Sequence, residues 1–556
     1  MTEPSVARIG ARYHELHYSA APLAATADGV PGYDDRLPDP GREAEERLVR
    51  QLEDLMTELD AVDEASLEGE EWLGQQTLAR LLRYERDART HALAEVGVSA
   101  STFGAFPTVI GTVPTASVAT PESAQTYLTR LADLGEYLDR VGARYVAAAG
   151  AGRHPTALGV QQAIDQLDGY LATPLSADPL LRPEPGTSVD AARWHEEAAA
   201  LVGESVRPAV ARLRETLATR LLQVGRGDGE VGASHIPGGA DGYRAAVRAH
   251  TTTDLEPDAI HRLGLDLVAR LREEFAERGA RVLGTSDVPE VLRRLRDDPT
   301  LRFASAGEIV TTVDDALRRA ERAVPDWFAA YGIAPCIVRE MDATEAANSV
   351  LGYYTPPAAD GSRPGAHVVN TYDPTSRPRF EYEALAFHES VPGHHLQIAV
   401  AQSMTGLPEF RRFAYFTAHG EGWGLYSERL SDEMGLYTDD LSRLGMVSFD
   451  AWRACRLVVD TGMHHHGWSR QRAIDYMREN TALSTGNITN EVDRYIAEPG
   501  QALGYMIGRI RIRELRDRSS TSPSFDIKQF HHEVLGHGTL PLDTLDAHLA
   551  RVFPAG

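Results

Sequence analysis

The segment Phe387-His388-Glu389-Ser390-Val391-Pro392-Gly393-His394-His395 places three imidazoles and a carboxylate within a few residues of one another. Downstream, Glu421-Gly422-Trp423 opens a second helix-like stretch, and Glu428 follows on the same helical face. Two histidines, a carboxylate ligand and a spare carboxylate are the parts of a hydrolytic zinc site. Three side chains hold the cation, a fourth position stays open to water, and the spare carboxylate takes a proton from that water. His388 is the first ligand on this reading, Glu421 the carboxylate ligand and Glu389 the proton acceptor.

The spacing of the histidines departs from the usual H-E-x-x-H, in which an i, i+4 step puts both rings on one face. His394 follows His388 by six residues and His395 by seven. On an ideal helix the first is rotated roughly 120° away from His388, and the second returns to its face but lies about 10 Å along the axis. Neither works on a regular helix. Pro392-Gly393 stands between them and can bend or unwind a helix locally, which brings His394 back toward His388. A later stretch, His532-Glu533-Val534-Leu535-Gly536-His537, looks similar but has no matching downstream Glu.

The elements that must position these groups read as helices. Helical periodicity runs over residues 42–59, 127–147, 191–222, 257–281 and 306–331 in the first part of the chain. It resumes over 382–403, 408–432, 448–460, 469–480 and 500–517. Strand signals are confined to residues 367–371, bounded by Pro364-Gly365 and Pro374, and to residues 336–339. The fold expected is mainly α, two-lobed, with a small β-sheet beside the metal helix. The Gly-rich stretch 225–242 reads as a linker between an N-terminal helical lobe, 1–240, and a catalytic lobe, 241–556.

Composition narrows the class. The 556 residues carry a net charge of −25, and Lys528 is the only lysine among the basic residues. So acidic a chain disfavours nucleic acid and anionic membranes as partners, because both need a basic face. Cys336 and Cys455 are the only cysteines, too few for a disulfide framework or a Cys-rich zinc site. The first residues lack an apolar leader and no run of about 20 apolar residues occurs, so a cytoplasmic location is expected.

Taken together, these residues resemble a bacterial family of unknown function, DUF885, whose members look like gluzincin-type zinc metallopeptidases. The resemblance rests on the H-E-x-x-P-G-H core at 388–394 and on Glu421-Gly422-Trp423, which is similar to the Glu-bearing second helix of gluzincin aminopeptidases. Further matches are Ala11-Arg12-Tyr13-His14, Asp360-Gly361-Ser362-Arg363-Pro364-Gly365, Asp460-Thr461-Gly462-Met463-His464, Pro499-Gly500-Gln501-Ala502 with Tyr505, and Phe530-His531. The family pattern implies His394 as the second metal ligand, with His395 facing substrate or backing the ligands, and gives the tail around 532–537 a structural role. Members are often exported.

The expected activity is zinc-dependent hydrolysis of amide bonds in short peptides. Tyr505 and His464 are the candidate donors to a developing oxyanion, with Tyr495 and Tyr426 behind them. Asn370, on the strand before the metal helix, would hold extended substrate. Arg509, with Arg513 one turn on, would clasp a substrate carboxylate. Glu428, Asp460 and Asp493 are candidate acceptors for the imidazole N–H groups. Two rival readings are an amide hydrolase of a small non-peptide metabolite and a non-catalytic scaffold with a degraded site. Oligomeric state is not legible.

Overall fold

The computed structural model describes residues 5–101, 104–342, 346, 350–357, 363–404 and 406–554, and it is mainly helical. Amphipathic spacing explains most helices. In Arg42–Asp60 the buried side chains are Leu48, Leu52, Leu55 and Leu59, one stripe at three- and four-residue steps. Pro257–Val282 opens with its proline in the first turn, where the missing N–H costs nothing. The helix expected over 191–222 is instead interrupted by wide turns at Val202–Val206 and Leu217–Leu221.

The sheet has three strands, β1 (Cys336–Glu340), β2 (Gly352–Thr355) and β3 (Gly365–Val369), in the order β1-β3-β2. β1 runs parallel and β2 antiparallel to β3, which is buried along its whole length. This corrects one expectation. The strand before the His388 helix is central and hydrogen-bonded on both sides, so it offers no edge for an extended peptide. The reason is β2, whose short Gly-Tyr-Tyr-Thr run gave too weak a signal to register in the sequence. The residues Asp360-Gly361-Ser362 of the family-like segment lie outside the described residues.

The cores do not divide simply at residue 240. One apolar core gathers residues between 23 and 221, and a second gathers residues between 231 and 507. The first helices nevertheless cross over: Trp72 and Leu73 share a core with Trp423 and Leu549, and Val6 and Ile9 pack with Phe410. The Gly-rich stretch is also no free linker. Gly232 lies so close to the Met463 carbonyl that an added Cβ would sit 1.8 Å from its oxygen, and Arg226 bonds back to the His154 carbonyl.

Candidate metal centre

The sequence reads 382–403 as one helical stretch with a break, and two helices are found. The first motif helix, Tyr382–Glu389, carries His388 in its last turn, and the second, His394–Ser403, begins at His394. Between them the Val391–Pro392 peptide is cis. Glycine at 393 is obligatory, because a Cβ there would lie 1.9 Å from the His388 carbonyl oxygen. Trp423 Nε1–H donates to the Pro392 carbonyl at 2.9 Å, and Ser427 Oγ–H donates to the Phe387 carbonyl at 2.9 Å. The break is therefore tied to the helix Thr417–Glu433, which bears Glu421 and Glu428.

That helix approaches through glycines. A Cβ on Gly424 would come within 2.6 Å of the His388 ring, and one on Gly422 within 2.5 Å of Gly508 in the helix Gly504–Ser519. Without side chains at these positions, Glu421 comes into reach of both imidazoles. Its Oε2 lies 3.7 Å from His388 Nε2 and 3.4 Å from His394 Nε2. The two rings stand at 90° with centroids 4.7 Å apart. One ligand atom from each of His388, His394 and Glu421 falls within 4.8 Å of the other two, a span that one cation can bridge.

The groups behind the two imidazoles fix their orientation. His388 Nδ1 meets Glu428 Oε1 at 2.8 Å, which turns Nε2 toward the cluster. His394 Nδ1 meets Gln397 Oε1 at 3.3 Å with the same consequence. Electrostatics show a site rich in negative charge. Burial opposes charging of His388, but hydrogen bonds to Glu421 and Glu428 outweigh it and push its pKa up to about 9. His394 shifts up in the same way, and the two imidazoles hold Glu421 well below the carboxylate range against the cost of its burial. Glu389, next to His388, is pushed up, chiefly by burial. Among the described residues its carboxyl takes no hydrogen bond, so it is free to handle a proton.

Two other clusters of potential ligands occur among the described residues. Asp258 with His465 and His466 lies at the surface, and Glu533 with His537 and His548 is paired internally.

Several residues expected at the site lie elsewhere or are fully engaged. His464 is buried; its Nδ1 accepts from Ala233 N–H at 3.0 Å and its Nε2–H donates to the Tyr495 carbonyl at 2.9 Å, so no ring nitrogen remains for substrate. His395 is used in the same way by Tyr354 O–H and the Ala334 carbonyl, each at 3.0 Å, and it braces the sheet. Asn370 is buried, with its amide N–H groups on the Ala346 and Val350 carbonyls. Tyr495 accepts from Trp452 and Arg456 and donates to Glu491. Arg509 is paired with the buried Asp450 at 3.1 Å, and Arg513 with Glu433 and Asp517. Tyr426 contacts His531 and Arg516. Of the acidic candidates only Glu428 reaches an imidazole; Asp460 serves Tyr243 and Gly500, and Asp493 serves Arg470 and Gln162.

Tyr505 does lie at the site. It is half-buried, and its phenol is pushed up by burial and by the nearby charge of Glu421. Two residues that sequence reasoning passed over join it. Tyr415, 53% exposed, donates its O–H to Glu421 Oε1 at 3.3 Å. Its setting, Phe413-Ala414-Tyr415-Phe416, reads as ordinary apolar packing. Arg453, 5% exposed, lies within the electrostatic reach of Glu428, Tyr505 and Glu421. Its signal was present: Arg453 and Arg456 interrupt a run of otherwise apolar residues on a helix buried nearly all round, Asp440–His464.

These observations define a large, mainly helical protein with a two-histidine, one-glutamate cluster at a break between two helices. The chain belongs to the DUF885 family, bacterial proteins of unknown function, whose profile matches residues 22–549. Its fold is similar to the crystal structure of a "putative lipoprotein" from Colwellia psychrerythraea, with a TM-score of 0.89 and 26% identity over 99% of this chain and 98% of that one. A "putative lipoprotein of unknown function" from Shewanella oneidensis has the same fold at 17% identity, with a TM-score of 0.77 over 98% of this chain and 99% of that one. No curated protein matches the chain. No helix among the described residues is long and apolar enough to cross a membrane.

Proposed function

We propose that this protein is a zinc-dependent hydrolase of amide bonds in short peptides. The observation that carries the reading is the convergence of His388, His394 and Glu421 within 4.8 Å, beside an unengaged Glu389. Two imidazoles and one carboxylate, with Glu428 fixing the tautomer of His388, suit zinc in composition and in the groups behind the ligands. Zinc held there supplies Lewis-acid polarisation of a carbonyl and a water acidic enough to ionise near neutral pH.

The remaining work falls to side chains of this chain. Glu389 takes the proton of the attacking water and delivers it to the leaving amine, a role favoured by a carboxyl raised by burial. Tyr415 bonds to Glu421 and Tyr505 feels its charge, and the O–H groups of these two phenols are the donors assigned to a developing oxyanion. The half-exposed ring of Tyr415 marks the side from which substrate enters. The likeness to proteins described as lipoproteins supports a location outside the cytoplasm, and the cytoplasmic expectation gains no support.

The test is the full-length protein, purified and loaded with zinc, against a panel of dipeptides and tripeptides, with Glu389→Gln alongside. The reading expects about one zinc per chain in both proteins and loss of about 10²- to 10⁴-fold in kcat for the variant. Wild-type protein that binds zinc yet cleaves no peptide in the panel overturns it.

A further inference from the structure

Buried arginines are rare, and their N–H groups are expected to be paired, because an unpaired buried donor is costly. Arg453 breaks that rule: its Nε and Nη1 are buried and have no hydrogen-bond partner. One turn on, Arg456 directs Nε to Tyr495 Oη at 2.8 Å and Nη2 to Glu491 at 2.9 Å, while its buried Nη1 is likewise unpartnered. Both heads lie over aromatic rings. The Arg453 guanidinium lies 4.5 Å from the Phe449 centroid and 4.2 Å from that of Trp452. That of Arg456 lies 4.5 Å from Trp452 and 4.4 Å from Tyr505. Contact with the rings holds the two guanidinium groups in place while these N–H groups stay unsatisfied, and an arginine so held can take a carboxylate with two parallel bonds.

The location of this pair matters as much as its geometry. The charge of Arg453 acts on Glu421, Glu428 and Glu389, so its head lies on the metal side of the helix Asp440–His464. Among the described residues no carboxylate comes within ion-pair distance of it, whereas Arg509, Arg513 and Arg429 are each paired with acids. The unpartnered donors thus belong to an arginine whose charge reaches the carboxylates of the cluster.

We propose that Arg453, assisted by Nη1 of Arg456, is the subsite that binds the terminal carboxylate of a short peptide, and that the enzyme releases residues from free C-termini. The assignment rests on the hydrolase reading for its catalytic part but makes a separate claim about binding. Recognition of the carboxylate is present in both the ground and transition states, so it acts on affinity and KM more than on kcat.

The experiment compares an N-acetylated dipeptide bearing a free C-terminal carboxylate with its C-terminal carboxamide. Both are titrated by calorimetry into the full-length, zinc-loaded Glu389→Gln protein, and both are assayed for cleavage with wild type. The acid is expected to bind about 10- to 100-fold more tightly than the amide, the effect of one charge-assisted pair. In the same background Arg453→Met is expected to erase the difference and Arg453→Lys to keep part of it. Equal binding of acid and amide overturns the subsite without any need for a variant, and so does a preference that survives Arg453→Met at an unchanged melting temperature. A preference that depends on Arg453 in a protein that cleaves neither compound upholds the subsite and overturns the hydrolase reading instead.

Discussion

Two stretches of this chain carry nearly the same letters, His388-Glu389 with His394 and His532-Glu533 with His537, and each folds into a cluster of imidazoles and carboxylates. In the tail the cluster is closed. Glu533 Oε2 receives His537 Nε2 at 3.2 Å and His548 Nε2 at 2.7 Å, and His537 Nδ1 reaches Glu70 at 2.5 Å. Two carboxylates serve two imidazoles there, and the result ties the last helices to Gly69–His91 near the start of the chain. In the motif, Glu389, Glu421 and Glu428 surround His388 and His394, so acids outnumber imidazoles and one carboxylate stays unengaged. Even with the charge of Arg453 reaching them, three carboxylates around two imidazoles leave room for a dication that the fully paired tail does not. Pattern alone does not separate the two clusters; the count of acids against imidazoles does.

The contrast breaks most visibly in metal content. His388→Ala and Glu421→Gln are expected to lose zinc on dialysis, while His548→Ala and Glu533→Gln retain about one ion per chain. Elemental analysis of the four proteins decides it. Chelation of wild type should lower its melting temperature, since a ligand present at about 1,000 times its Kd stabilises by about 4 kcal/mol. Chelation should leave the melting temperature of His388→Ala unmoved. Equal zinc in all four variants would place the ion elsewhere.

A smaller effect sharpens the role of the groups behind the ligands. Glu428→Gln keeps the size of the side chain but weakens its hold on His388 Nδ1. Loss of such a partner typically costs 10- to 100-fold in metal affinity, so competition with a chromophoric chelator should show a drop of about that size. Asp460, expected from sequence in the same role, is bonded to Tyr243 and Gly500, and Asp460→Asn should leave zinc affinity where it was.

How much of this was legible in the sequence follows from where the information lies. Helices such as Arg42–Asp60 and Pro257–Val282 were readable because their apolar stripe is local. The meeting of His388, His394 and Glu421 was readable because Pro392-Gly393 announces a break and Glu421 announces a second element. What could not be read depends on partners remote in sequence. The ring nitrogens of His464 are taken up by Ala233 and Tyr495, and those of His395 by Tyr354 and Ala334. Nothing near either histidine records that use. Arg509 likewise looked free until Asp450 came to meet it. Arg453 inverts the case, since its lack of a partner appears only when the surrounding elements are assembled. The central place of β3 turned on β2, a strand of four residues, too short to outweigh the helical pattern around it.

The smallest expected effect tests the closed half of the comparison by its dependence on pH. Burial opposes charging of His537, but its bonds to Glu533 and Glu70 raise it from 6.5 to about 9. Its contribution to stability is therefore complete below pH 6.5 and disappears as pH rises through 9. Glu533 is depressed, chiefly by its bonds to His537 and His548, so its contribution is present above its ordinary value of 4.5 and is lost as pH falls below it. The two requirements overlap only between 4.5 and 6.5, the window in which the tail is held most firmly. Melting temperatures of wild type and Glu533→Gln across pH 4 to 10 should differ most inside that window and converge toward the alkaline end. The difference should be on the order of 1 kcal/mol for a pair this near the surface. A difference that stays constant from pH 5 to 9 would show that Glu533 acts through packing or neutral hydrogen bonds, and the tail would then no longer serve as the charge-balanced counterpart of the motif.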